Sequence, residues 1–292
     1  MTSSTETLRR FNRTWTQRVG ALDESFLGMG WPLGASRLVH EIGTTGAGVG
    51  ELRERLDLDS GYLSRLLRRL EDAGVVAVEP DPADGRRRRA RLTEAGHASY
   101  DELERRSEER ARDLLDPLTP RQRERLDAAL ATADLLVRAA TVQLRRVPAD
   151  DPVATAAVER YYDELRERFD EGFDPGPSSL AAGAFVVATS DGRAVACGGV
   201  QPLDEHTGEV KRMWVDPTWR GAGLGSRLLT HLEQVARELG HQRVVLDTND
   251  RLTEAIAMYE RAGYASVPAY NDNPHARAWF AKDLSAPEAP TA

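Results

Sequence analysis

The 292-residue chain contains a single cysteine, Cys197. One thiol excludes an intrachain disulfide and any metal site built from cysteines, and no metal is expected. No apolar run approaches the ~20 residues that a bilayer-spanning helix needs. The opening residues, Met1-Thr2-Ser3-Ser4-Thr5-Glu6-Thr7, lack the charged start and apolar stretch of a secretory leader. The expected location is therefore cytoplasmic, with no membrane partner. The glycine-rich stretch after Arg220 lacks the Lys-Ser/Thr ending of a P-loop, and its spacing is not the G-x-G-x-x-G of dinucleotide sites.

What is present is the composition of a globular protein, 40% hydrophobic and 29% charged, long enough for two ordinary domains. The net charge is −8, yet the first 140 residues are near neutral, with 23 arginines against 24 acidic residues. Those arginines are clustered, and for nucleic acid the local patch matters more than the sum.

Leu8, Phe11, Trp15 and Val19 recur at helical spacing; such a face serves either a second chain or the domain's own core. Residues 33–43 form another helical run ending at glycine. Residues 50–56 read as a short helix, Asp57-Leu58-Asp59 as a turn, and 60–73 as a helix capped by Asp59 or Ser60 and stopped by Gly74. Leu63, Leu66, Leu67 and Leu70 are its buried stripe. Ser60, Tyr62, Ser64, Arg65, Arg68 and Arg69 occupy the other face. Two helices across a tight turn make a helix-turn-helix, whose second helix enters the major groove. Strands at 75–80 and 87–93 flank a turn at 81–85, and Arg86, Arg87, Arg88, Arg89 and Arg91 crowd its tip and return. Such a wing suits the DNA backbone or a narrow minor groove.

The runs Leu-Ser-Arg-Leu-Leu-Arg-Arg-Leu-Glu-Asp-Ala-Gly, Asp-Pro-Ala-Asp-Gly-Arg and Leu92-Thr93-Glu94-Ala95-Gly96 resemble the MarR family of winged-helix regulators over about residues 5–140. The resemblance implies a mostly-α winged helix-turn-helix with Asp84 and Arg86 as the wing's functional pair. It also implies a homodimer, built through the terminal helices, on a near-palindromic operator in double-stranded DNA. Helices are expected at 97–115 and 120–140. The stripe Leu126, Leu130, Ala133, Val137 on the second does not distinguish a dimer contact from a monomer core.

The alternating residues 141–147 and the turn at 148–152 place a domain boundary near 140. Domains are expected at 1–140 and 141–285, with a disordered tail at 286–292. Beyond the boundary come a helix at 153–169, strands at 184–189, 194–202 and 209–215, a helix at 224–239, a strand at 243–247 and a helix at 252–262. Strands at 264–267 and 275–282 close the series. Between strand and helix lies Val215-Asp216-Pro217-Thr218-Trp219-Arg220-Gly221-Ala222-Gly223-Leu224-Gly225-Ser226. A glycine-rich corner before a helix leaves backbone N–H groups free to meet phosphate oxygens.

The Arg-x-x-Gly-x-Gly spacing of Arg220, Gly223 and Gly225, and the run Ala257-Met258-Tyr259-Glu260-Arg261-Ala262-Gly263-Tyr264, are similar to two motifs of the GNAT superfamily of N-acetyltransferases. The resemblance covers about residues 141–285 and implies an α/β fold with a mixed central sheet. It implies acetyl-CoA as acetyl donor, held by Met213, Trp214, Val215, Arg220, Gly221, Ala222, Gly223, Leu224, Gly225, Ser226, Asn249 and Tyr259. Tyr259 is the candidate proton donor, or else a core tyrosine. Glu209 is either a base reaching an amine acceptor, directly or through water, or a solvent-facing strand charge. Tyr270, Asp272 and His275 are weaker candidates for lining the acceptor pocket. His206 and His241 are expected in solvent, and Cys197 packed. The whole reads as a bifunctional DNA-binding regulator and acetyltransferase. The alternative is a regulator whose second domain senses acetyl-CoA or an amine with little turnover.

Overall fold

The computed structural model describes residues 3–82, 84–148, 150–169, 172–174, 183–190 and 192–285. The expected tail at 286–292 lies outside them, as does one residue in each of two expected turns, Ala83 and Ala149. The chain divides into two compact units, 1–125 and 126–292.

The first unit is mostly helical. It contains α1 (Ser4–Arg18), α2 (Leu33–Ile42), β1 (Ala47–Gly48), α3 (Val49–Leu56), α4 (Ser60–Asp72), β2 (Val76–Pro80), β3 (Arg88–Leu92) and α5 (Glu94–Leu115), and the division falls inside α6 (Pro120–Thr141). Asp57 takes a left-handed conformation (φ 49°) that ends α3, and the Asp59 carboxylate accepts the Tyr62 N–H at 2.8 Å to start α4. Asp is among the few residues that visit this region cheaply. Leu63, Leu66, Leu67 and Leu70 of α4 pack with Leu38, Val39 and Ile42 of α2 and Leu52 of α3. The three strands form an antiparallel sheet in the order β1-β3-β2. Two-residue β1 carries too short a pattern to be read from sequence; it pairs Ala47 with Ala90 and Gly48 with Arg89. None of α1 is buried, and Leu8, Phe11 and Trp15 are 60%, 47% and 42% exposed.

The second unit contains the end of α6, then β4 (Leu144–Val147), α7 (Pro152–Arg168), β5 (Ala184–Ser190), β6 (Arg193–Pro202), β7 (Thr207–Val215), α8 (Leu224–Glu238), β8 (Arg243–Thr248), α9 (Thr253–Arg261), β9 (Ala265–Ser266) and β10 (Ala278–Asp283). Its seven strands run in the order β4-β5-β6-β7-β8-β10-β9. The sheet is mixed, because β7 and β8 are parallel and the other neighbours antiparallel. A parallel pair needs a crossover, and α8 supplies it. The apolar stripe of α8, with Leu228, Leu229, Leu232 and Val235, packs with Val186, Val200, Val244 and Leu246. Gly198 lets α8 come close, for a Cβ there would stand 2.8 Å from Leu232 Cδ1. In a separate cluster, Ala154, Ala157, Val158 and Tyr162 of α7 pack with Phe185, Val187, Cys197 and Trp214.

The end of α6 belongs to this unit. Ala139 is fully buried in its core, the Arg138 guanidinium lies 4.7 Å from the Trp219 ring centre, and Arg227 donates to the Ala139 carbonyl.

Two features place the site. Parallel pairing covers only Thr207–Glu209 against Arg243–Val245, after which β7 and β8 separate. Over the same stretch β7 carries an extra residue against β6, between the pairs Gly199–Lys211 and Cys197–Trp214, with Arg212 at φ 55°. A bulge of this kind bends a strand and re-aims its side chains.

His241 departs from expectation. It is 7% exposed, not solvated, and neither ring nitrogen has a hydrogen-bond partner among the described residues. The missing side chain of Gly208 makes the room: a Cβ there would lie 2.9 Å from the imidazole. His206 is exposed and Cys197 is fully buried, where burial pushes its thiol up to about 12.

Candidate functional site

In the first unit, α4 buries its leucines and leaves Ser60, Tyr62, Ser64, Arg65, Arg68 and Arg69 exposed. Arg65 covers the Tyr62 ring at 5.7 Å. Arg68 and Arg69 make no side-chain hydrogen bond or ion pair among the described residues. The wing arginines divide by task. Arg89 donates to the Thr45 and Gly46 carbonyls at 3.1 and 3.0 Å, and Arg88 to the Val78 carbonyl at 2.8 Å, so both hold the hairpin itself. Asp84 organises the tip: it accepts the Arg86 N–H at 3.1 Å and pairs with Arg87 at 3.4 Å. That leaves the Arg86 guanidinium without a partner among the described residues. Exposed, unengaged guanidinium groups on one helix and one hairpin tip are suited to phosphate oxygens and base edges.

In the second unit, two cavities open where β7 and β8 part. They share Tyr161, Met213, Leu252, Ala255 and Tyr259. The larger, about 570 Å³, runs along Val215, Arg220, Gly221, Gly223, Gly225 and Ser226 to Met258. Gly221 and Gly223 have φ of 77° and 82°, and a Cβ on either would meet nothing within 4 Å. The first bond of α8 runs from the Arg227 N–H to the Gly223 carbonyl, 3.1 Å. The amides of Leu224, Gly225 and Ser226 therefore precede the helix ladder as unpaired donors at its positive end. Ala222 is half-buried and Leu224 fully buried against the core, so these two offer backbone only. Arg220 is turned inward, with Nε to the Val215 carbonyl at 3.0 Å and Nη2 to Glu164 at 2.5 Å.

Successive amides of a strand point to opposite edges. The Asp216 N–H bonds Val195 of β6 at 2.9 Å, so the Val215 N–H points to the other edge, where β8 no longer pairs. Trp214 is 4% exposed and donates Nε1–H to Glu164 at 2.8 Å.

Tyr259 sits on α9 at the junction of the cavities. Its ring packs with Tyr264 and Phe280, with centroids 5.9 and 6.0 Å away. Its hydroxyl bonds no other described residue. Burial, and then the Asp247 charge, raise its pKa above the usual tyrosine range. It therefore holds its proton throughout the neutral range.

The smaller cavity, about 340 Å³, is walled by Tyr161, Tyr162 and Phe173 and carries Asp174, Lys211, Arg212, Asp247 and His275. Lys211 of this lining pairs with the carboxylate of Glu209, which is 3% exposed and lies outside the lining. Glu209 accepts from Gln201 at 2.7 Å, Tyr270 at 2.9 Å, Asn271 at 3.2 Å and Lys211 at 2.9 Å. It is not the solvent-facing charge that was one of the two expectations, and its carboxylate is met by four donors. Asp247, across on β8, lines the cavity and has three donors: Lys211 at 3.1 Å, Asn271 at 2.6 Å and Asn273 at 3.1 Å. Burial works against the Lys211 charge, but its bond to Glu209 and the charge of Asp247 outweigh it and raise its pKa.

The other expected residues are scattered. Asn249 lines neither cavity; its side chain joins the His275 carbonyl at 2.8 Å to the Arg251 amide at 3.0 Å. Tyr270 is occupied by Glu209, and Asp272 is exposed outside both cavities. His275 does line the smaller one, with its ring 4.9 Å from Phe173. Sequence reading missed Lys211, Arg212 and Asp247. The end of a strand at Asp247 was legible, but nothing in the pattern tells that β7 bulges opposite it.

Two family models match the chain: "Acetyltransferase (GNAT) family" over residues 144–264 and "MarR family" over residues 27–87. The uncharacterized N-acetyltransferase YjgM of Escherichia coli is 30% identical over 130 residues, covering 40% of this chain and 78% of that protein. IAA acetyltransferase of Azospirillum brasilense is 40% identical over 82 residues, covering 28% of this chain and 54% of that protein, about half its length. The solved structure of wild-type MarR from Escherichia coli is 21% identical, with a TM-score of 0.39, over 46% of this chain and 98% of that one. The chain thus belongs to the GNAT acetyltransferase family, with a MarR-family region ahead of its acetyltransferase domain.

Proposed function

We propose that the second unit transfers the acetyl group of acetyl-CoA to an amino group, and that the first unit binds double-stranded DNA as a homodimer. The observation that carries the enzymatic reading is the meeting of the two cavities at Met213 and Tyr259. One has the open glycines and helix N-terminus that suit a pyrophosphate, and the other has a carboxylate. Acetyl-CoA supplies the thioester when bound. The amides of Leu224 to Ser226 hold its phosphates, and the Val215 N–H meets its pantetheine arm. Asp247, with one lone-pair position unfilled, takes the proton that the amine gives up as its nitrogen bonds the acetyl carbon. Tyr259 gives its proton to the sulfur as the carbon–sulfur bond breaks, and regains one from solvent.

Gly223→Val tests the donor site. A β-branched side chain at φ 82° is strained and projects into the open groove. Calorimetric titration of acetyl-CoA is expected to show at least ~10-fold weaker binding than wild type. Equal affinities would remove the glycine corner from the site.

The exposed apolar stripe of α1 supports the dimer, and the free Arg68, Arg69 and Arg86 support DNA contact. Arg86→Ala is expected to weaken operator binding and to lower the slope of log K against log salt by about 1. An unaltered slope would take the wing off the DNA.

A further inference from the structure

We infer that the acceptor is a free amino acid, recognised by Arg212 through a carboxylate beside the reacting amine. The inference rests on the acetyl-transfer reading and names the substrate class of that site.

A regular strand sends alternate side chains to opposite faces. Yet Lys211, Arg212 and Met213, consecutive on β7, all line the smaller cavity. The bulge makes this possible, with Arg212 held at φ 55°, one of three non-glycine residues with positive φ among those described. A left-handed conformation on a large side chain is costly and marks a position where the fold uses it. What it achieves is to put Arg212 in the lining of the smaller cavity, with its guanidinium over the Tyr162 ring.

The cations of the cavity differ in their partners. Lys211 is bonded to both Glu209 and Asp247. Arg212 lies over the Tyr162 ring at 5.8 Å, and its Nη1 is buried with no hydrogen-bond partner among the described residues. A buried N–H of a charged group is costly to leave unmade, and a planar fork of donors fits a carboxylate. Asp247 lines the same cavity and suits an ammonium. Arg212 and Asp247, which line one 340 Å³ space together with Lys211 and Asp174, match the two ends of a zwitterion. Both groups line one cavity of about 340 Å³, so a ligand that meets both carries its two charges within that small space, as an α-amino acid does. The walls of Tyr161, Tyr162 and Phe173 suit an apolar or aromatic side chain.

The test is calorimetric titration of the full chain, saturated with CoA so that no acetyl group is consumed. The ligands are L-phenylalanine and L-leucine, their amides, and the corresponding amines without a carboxylate. We expect the free amino acids to bind at least ~10-fold more tightly than amide or amine. Arg212→Asn, which tolerates positive φ, should abolish that preference, and Arg212→Lys should keep part of it. No binding by either amino acid, equal binding of all three classes, or a preference that survives in Arg212→Asn would overturn the inference. Thiol release with acetyl-CoA, measured alongside, separates the two readings. Amino acids that bind but are not acetylated would sink acetyl transfer and leave the carboxylate site standing. Equal acetylation of the amines lacking a carboxylate would do the reverse.

Discussion

Tyr259→Phe is expected to lower kcat for acetyl transfer about a hundredfold, ~2.7 kcal/mol in the barrier, and to change the KM for acetyl-CoA less than about threefold. The reason is that the substitution removes one atom at the junction of two cavities and little else. The ring stays packed against Tyr264 and Phe280, and the lost hydroxyl bonds no described residue. Folding and donor binding should survive, and only the delivery of a proton to the departing sulfur should fail. The pH profile carries the same prediction with a sign. Burial and then the Asp247 charge raise the Tyr259 pKa, so the protonated form persists past the usual tyrosine range. The wild-type rate should fall only above about pH 10, and Tyr259→Phe should lose that alkaline limb. An unchanged kcat across pH would take Tyr259 out of the proton-donor role.

Asp247→Asn should cost as much, about 10²-fold or more in kcat, by removing a carboxylate that lines the acceptor cavity and retains a free lone-pair position. It should also move the alkaline limb to lower pH, since the Asp247 charge is one cause of the raised Tyr259 pKa. Glu209→Gln should behave differently. An amide there would point an N–H at one of four donors that the carboxylate now accepts, costing about 2 kcal/mol of stability. The fraction that folds should retain most of its kcat. If Glu209→Gln abolished turnover and Asp247→Asn spared it, the two carboxylates would have to exchange roles.

The sequence made legible whatever depends on local pattern. The leucine stripe of α4, its Asp59 cap and its Gly74 stop are written in consecutive residues, and so are the strand, glycine corner and helix at 209–239. What it concealed depends on how distant strands meet. Arg212 reads as one more residue of an alternating strand until β6 is laid beside it and a residue is left over. Asp247 reads as the end of a buried strand until β7 and β8 part at Glu209 and Val245. Glu209 was singled out from its place in β7, but its burial is set by Gln201, Tyr270 and Asn271, which come from elsewhere in the chain. His241 was misjudged for the same reason, since the space for its ring comes from Gly208.

The measurement that bears most directly on the account is steady-state thiol release from acetyl-CoA by the full chain, with free amino acids, simple amines, polyamines and peptides as acceptors. Turnover well above acceptor-free hydrolysis is expected with at least one amine class, together with mass-spectrometric detection of its N-acetyl product. Tight acetyl-CoA binding with no turnover on any acceptor would contradict it, and would make the second unit a sensor of acetyl-CoA.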